Sequence, residues 1–118
     1  MPRAKRGTKR KDKRTKVLQR AKGYWGAKGR NYRTAKEAVE KSLLYAYRDR
    51  RARKREFRSL WIIRIKAAAM ANGITYSRFI AGLKKLDVEL DRKILAELAV
   101  RAPETFAAIA AKAREALA

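Results

Sequence analysis

The sequence predicts an all-α protein, with a long basic N-terminal helical extension followed by a small C-terminal helical bundle. Three observations carry that prediction. From Tyr32 to Ala71 neither Gly nor Pro interrupts the chain, which leaves about forty residues compatible with one helix. Beyond it the punctuation of short helices is legible, with stop or start signals at Asn72-Gly73, Thr75, Asp91 and Pro103. No stretch alternates convincingly as a strand does. Charge divides the chain in the same way. Residues 1–60 carry 23 basic and 5 acidic side chains, and residues 61–118 carry 10 and 6. The composition thus implies an extension over residues 1–60 and a globular domain over residues 61–118.

The elements follow in order. Residues 1–16 hold no large apolar side chain after Met1, so nothing there can bury itself, and the segment is expected to lack structure until it meets a partner. Thr8 to Ala21 can form a short helix with Val17, Leu18 and Ala21 as a thin stripe. Gly23 ends it, and Gly26 and Gly29 keep the following backbone loose. That segment sets Tyr24, Trp25 and Tyr32 among glycines and cations. Too few apolar residues lie nearby to make a core, so these rings are expected to stack on exposed bases or pack on another subunit. In the long helix, Ala35, Val39, Leu43, Ala46 and Tyr47 form a first stripe. Phe57, Leu60, Trp61, Ile65, Ala68 and Ala69 form a second, expected to be buried.

Between those stripes lies the stretch around which the chain is organised. From Arg48 to Arg58, seven of eleven residues are basic and two are acidic. At about 100° per residue, Arg48, Arg50, Arg51, Lys54, Arg55 and Arg58 fill one arc of roughly 160°. Asp49 and Glu56 share the opposite side with Arg53, so the two acids are expected to neutralise mainly that arginine and leave the arc its charge. Like charges three and four apart weaken an isolated helix by a few tenths of a kcal/mol per pair. A rigid polyanion offsets this repulsion, and a polyphosphate backbone fits best.

Downstream, Asn72-Gly73 reads as a left-handed cap. Thr75 reads as an N-cap with Ile74 and Phe79 as a hydrophobic staple, for a helix burying Tyr76, Phe79, Ile80, Leu83 and Leu86. Asp91 caps the next helix, with Leu90 and Leu95 in staple register and Ile94 and Leu98 inward. Pro103 suits the first turn of a last helix, Glu104 suits its positive end, and Phe106, Ile109, Ala110, Ala113 and Leu117 form its inner stripe. Trp61, Phe79 and Leu83 are expected in the core.

The composition also excludes functions. The net charge of +22 points first to nucleic acid and second to an anionic membrane surface. The Arg48–Arg58 helix lacks the broad apolar face a membrane-active helix needs, and no apolar run approaches the length of a membrane span. There is no apolar core for a signal peptide, and a mature cytosolic protein is expected. With no Cys and no His, disulfides, thiolate metal sites and the commonest general base are absent, and no acid/base pair presents itself for an enzyme. Asp87, Glu89 and Asp91 suggest a cation loop, but alternating acids at a helix start more often cap and solubilise. No metal, cofactor or small-molecule substrate is expected. A nucleoid-type DNA-binding architectural protein is the alternative class, though neither a dimer core nor an arm ending in a wedge residue is evident.

Several segments together resemble the family of the twentieth protein of the bacterial large ribosomal subunit. They are Met1-Pro2-Arg3, Ala21 to Gly26, Tyr45 to Arg51, Lys54 to Trp61, Tyr76 to Ile80, Gly82 to Lys85, and Asp91 to Ala96. The motifs are long and in order, cover nearly the whole chain, and depart nowhere from the family pattern at the basic or aromatic positions. The resemblance implies an extension threaded between large-subunit rRNA segments, a globular domain on the subunit surface, neighbouring ribosomal proteins and an early role in assembly. In some bacteria it also implies binding of the protein's own messenger RNA, with translational repression.

The candidate RNA-binding residues combine both readings. In the extension they are Arg3, Lys5, Arg6, Lys9, Arg10, Lys11, Lys13, Arg14, Lys22, Lys28, Arg30 and Arg33 and the basic arc, with Tyr24, Trp25, Tyr32 and Tyr47 as stacking rings. In the domain they are Arg78, Lys84, Lys85, Arg92 and Lys93, near helix ends.

Overall fold

A computed structural model describes residues 7–118. Its helices are α1 (Lys9–Arg20), α2 (Tyr32–Ala71), α3 (Tyr76–Lys85), α4 (Arg92–Arg101) and α5 (Pro103–Ala116), with a 3-10 turn at Gly26–Gly29 before α2. Among the described residues there is no strand, and the fold is all-α. The chain divides into two compact units, Met1–Arg51 and Ala52–Ala118, and the boundary falls inside α2.

In the first unit α1 spans Lys9–Arg20, within the Thr8–Ala21 stretch read as a short helix, while residues 1–6 lie outside the described set. Ala21, Ala35 and Val39 are buried together, with Val17, Leu18 and Tyr24 packed against them. Tyr24 therefore serves in part as protein packing, which the sequence reading had set aside for want of apolar neighbours. The supposedly loose glycine segment is ordered by the 3-10 turn, which Arg30 N–H and Asn31 N–H close onto the Ala27 carbonyl. Past Val39 the first stripe of α2 stays at the surface, with Leu43 53% and Tyr47 55% exposed. The apolar period continues beyond the reach of any packing partner in this unit.

The second unit has a real core. Ile65 and Ala69 of α2, Ile74, Phe79 and Leu83 from α3 and its lead-in, Leu95 and Ala96 of α4, and Phe106, Ala110 and Ala113 of α5 are buried as one cluster. The Phe79 and Phe106 rings meet at 5.1 Å between centroids, tilted by 31°, a geometry worth about 0.5–1.5 kcal/mol beyond the area it buries. Gly82 sits where α3 crosses α5, and a Cβ there would collide with the backbone of Ala113. That close crossing brings the two phenylalanines together.

The caps explain where the helices stop. Gly73 takes φ of +73°, its N–H donates to the Met70 carbonyl, and the Ile74 N–H donates to the Ala69 carbonyl. Carbonyls of the last turn are thereby satisfied, so α2 ends as expected. Asp91 accepts the Ile94 N–H at 2.8 Å. Pro103 opens α5 with Glu104 in its first turn. Thr75 holds the N-cap position with extended backbone, but its side chain makes no capping bond; Ile74 and Phe79, the expected staple pair, are both buried in the one core cluster.

Some expected core positions lie outside it. Phe57, Leu60, Leu86, Leu90, Ile94 and Leu117 are all more than a third exposed, and Trp61, Tyr76, Ile80 and Ile109 are only partly buried. On α2 the second stripe is exposed at Phe57 and Leu60, partly buried at Trp61 and fully buried at Ile65 and Ala69, so its apolar period begins before its burial does.

Candidate nucleic-acid interface

The basic stretch of α2 has the physical form the sequence requires. Arg48, Arg50, Arg51, Lys54, Arg55 and Arg58 are all exposed. Among the described residues the ion pairs within 4 Å are Arg48–Asp49 at 2.8 Å and Arg101–Glu97 at 3.0 Å. The first corrects the expectation that Asp49 serves Arg53. Asp49 instead takes the guanidinium beside it, and that hydrogen bond, reinforced by its charge, raises the Arg48 pKa above its ordinary value. Five members of the arc keep their charge without an acidic partner. Arg53 instead lies over the Phe57 ring at 5.9 Å.

Aromatic rings interleave with these cations. The Arg51 guanidinium stands 3.7 Å from the centroid of Tyr47 and donates to the Tyr47 carbonyl, one turn back. Arg48 and Lys41 flank the Tyr45 ring at 4.7 and 5.3 Å. Contacts of this kind are worth about 0.5–1 kcal/mol at exposed sites. They hold long side chains in place along the helix and so limit their rotamer freedom. Tyr47 therefore already has a guanidinium on its ring.

The first unit adds two concave surfaces. Gly7, Lys9, Arg10, Lys13 and Arg14 line a cavity of about 530 Å³ with Tyr32, and the Arg14 guanidinium lies 5.3 Å from the Tyr32 ring. Thr15, Leu18, Lys22, Tyr24, Gly26, Gly29 and Arg30 line another of about 480 Å³. Trp25, beside it in sequence, is 90% exposed. Lys11, Lys28 and Arg33 are exposed as well, whereas Arg3, Lys5 and Arg6 lie outside the described residues.

In the second unit Arg78, Lys84, Lys85 and Lys93 are exposed. Arg92 is partly buried and its Nε donates to the Tyr76 hydroxyl at 3.1 Å, tying α4 to α3. Two adjoining cavities open on this unit. Lys54, Arg58, Trp61, Asp91, Arg92 and Lys93 line one of about 470 Å³. Trp61, Arg64, Lys93, Ala96, Glu97, Val100 and Arg101 line the other, of about 320 Å³. Trp61 and Arg64 were not among the sequence-predicted interface residues. The signal was present, since Arg58 and Arg64 each lie three positions from Trp61 and so share its side of the helix. Among the described residues no group of three acidic side chains is placed to hold a metal, and Asp91 is engaged as a helix cap. Among the described residues no helix is long and apolar enough to cross a membrane.

Comparison with known proteins bears on this arrangement. A sequence model of the family described as Ribosomal protein L20 matches residues 3–109. The chain is 57% identical over 116 residues to the large ribosomal subunit protein bL20 of Koribacter versatilis, covering 98% of this chain and 96% of that protein. It is 58% identical to the bL20 of Hahella chejuensis over the full length of both. It is 59% identical over 114 residues to that of Syntrophotalea carbinolica, covering 97% of each.

Proposed function

Because the chain belongs to the ribosomal protein L20 family, whose members are structural constituents of the large ribosomal subunit, we propose that it acts as a clamp on large-subunit rRNA. The chain is not an enzyme. In this reading residues 1–60 thread between rRNA segments and residues 61–118 form the globular anchor. The exposed cations of α2 neutralise phosphates from more than one segment, holding them closer than their own repulsion allows. Such contacts position without reading sequence. Specificity then comes from shape and from rings such as Trp25 and Tyr32 meeting unpaired bases.

The observation that carries the proposal is the row Arg50, Arg51, Lys54, Arg55 and Arg58. All five are exposed, and no acid lies within ion-pair distance among the described residues. Arginine predominates, as suits planar bidentate recognition of phosphate. The test is a salt titration of binding to large-subunit rRNA, with the logarithm of affinity expected to fall by about 0.7–0.9 per phosphate neutralised for each decade of salt. A slope near zero rejects the clamp. Competition by duplex DNA of equal charge separates it from a DNA-architectural role, and rRNA is expected to win. An early role in assembly and repression of the protein's own messenger RNA belong to the same proposal. Assembly would rest on the extension's contacts, whereas repression would need the globular domain to bind RNA through cations such as Lys84, Lys85 and Lys93.

A further inference from the structure

The face of α2 that enters the core changes character at Trp61. C-terminal to it, Ile65 and Ala69 are fully buried, and N-terminal to it the same face carries Arg58 and then Lys54. The indole is backed by the core cluster, and the Phe57 ring lies 6.3 Å away. It is nevertheless only partly buried, because it lines both cavities beside α4, and Lys93 lines both as well. Their combined opening is of the size that holds small ligands.

The charge around it is one-sided. The acids of these cavities are Asp91 and Glu97, and each is engaged, Asp91 with the Ile94 N–H and Glu97 with Arg101. Lys54, Arg58, Arg64, Arg92 and Lys93 have no acidic partner among the described residues. The Tyr76 hydroxyl fixes Arg92 at the rim. A pre-positioned indole ringed by cations with no counter-charge suits a ligand with one flat π-face and anionic groups on either side of it.

We infer that this groove is a stacking subsite for a single unpaired nucleotide of RNA. The base lies on Trp61, and the phosphates flanking it reach Arg58 on one side and Lys93 on the other. A fully paired helix cannot occupy the groove in this way, because its bases are stacked on each other and their faces are hidden. The inference rests on the RNA-binding reading above and adds to it a site and a ligand class.

The test uses the full chain with Trp25→Phe, which leaves Trp61 as the sole indole. Its emission is followed during titration with a short single-stranded oligoadenylate, a fully paired RNA hairpin, and inorganic polyphosphate of matched charge. Affinity is measured separately from the anisotropy of labelled RNA. Quenching by oligoadenylate, with little by the hairpin or polyphosphate, is the expected result. Trp61→Leu is expected to lower oligoadenylate affinity about 5-fold or more, the lower end of what one stacked base contributes. Lys93→Ala, at an exposed position whose loss leaves the core intact, is expected to weaken oligoadenylate more than hairpin. Equal quenching by all three probes, or none by any while RNA still binds with a salt slope, overturns the subsite and leaves the clamp standing. If no RNA binds at all, both readings fall.

Discussion

Asp87 ends α3 with φ of 55°, a left-handed conformation that side chains with a Cβ adopt at some cost. The position follows from hydrogen bonding, since the Asp87 N–H donates to the Lys84 carbonyl and the Val88 N–H to the Leu83 carbonyl. This is the arrangement Gly73 makes at the end of α2, with Asp where glycine fits best. Asp87→Gly is therefore expected to stabilise the second unit by about 0.5–1 kcal/mol, read as a higher melting temperature, and a lower one would refute the strain. Gly82 behaves in the opposite way. A methyl group there meets the Ala113 backbone, which cannot yield as a flexible side chain can. Gly82→Ala should cost about 1–3 kcal/mol, the range typical of overpacking, and an unchanged denaturant midpoint would show that α3 and α5 do not cross so closely. The two sites differ in what the sequence reveals. Asp87 carries no turn signal as strong as Asn72-Gly73, and nothing local to Gly82 says that another helix passes over it.

Helix α2 runs over the 40 residues its sequence permits. Its length is legible because helix continuation depends only on local residue type, and neither Gly nor Pro intervenes. Which of its faces is buried is not local. Phe57 and Leu60 keep the helical apolar period yet are exposed, whereas Ile65 and Ala69 on the same helix are fully buried. Its cationic segment supports a prediction at the same scale. Replacing Arg50, Arg51 and Arg55 together by Ala should reduce the salt slope of rRNA binding by about 2–3, and helicity should rise slightly as like-charge repulsion is relieved. An unaltered slope would mean that these arginines face water in the complex. At the start of α4, Asp91→Ala removes the bond to the Ile94 N–H and is expected to cost about 1 kcal/mol of stability, measured by thermal unfolding.

The two units of the molecule differ in what holds them. The first buries Ala21, Ala35 and Val39, two of which are alanines, whereas the second buries ten residues including two phenylalanines. A core of the first kind cannot offset the ordering entropy of a strongly basic segment. Hydrogen exchange on the free chain at low ionic strength should therefore show rapid exchange through α1 and the basic part of α2 and slow exchange from Ile65 to Ala113, with rRNA slowing the former. Uniform protection in the free chain would defeat this account. The sequence by itself determined the helix inventory, the caps at Gly73, Asp91 and Pro103, the charge division and the family, because these depend on residue type, short-range spacing and motif order. Only the tertiary structure decided that Tyr24 packs, that Asp49 takes Arg48, that Phe57 stays outside and that Trp61 stands at the rim of a cationic groove. Each of those outcomes depends on where a neighbouring side chain or helix reaches or ends, and helical periodicity contains no information about that.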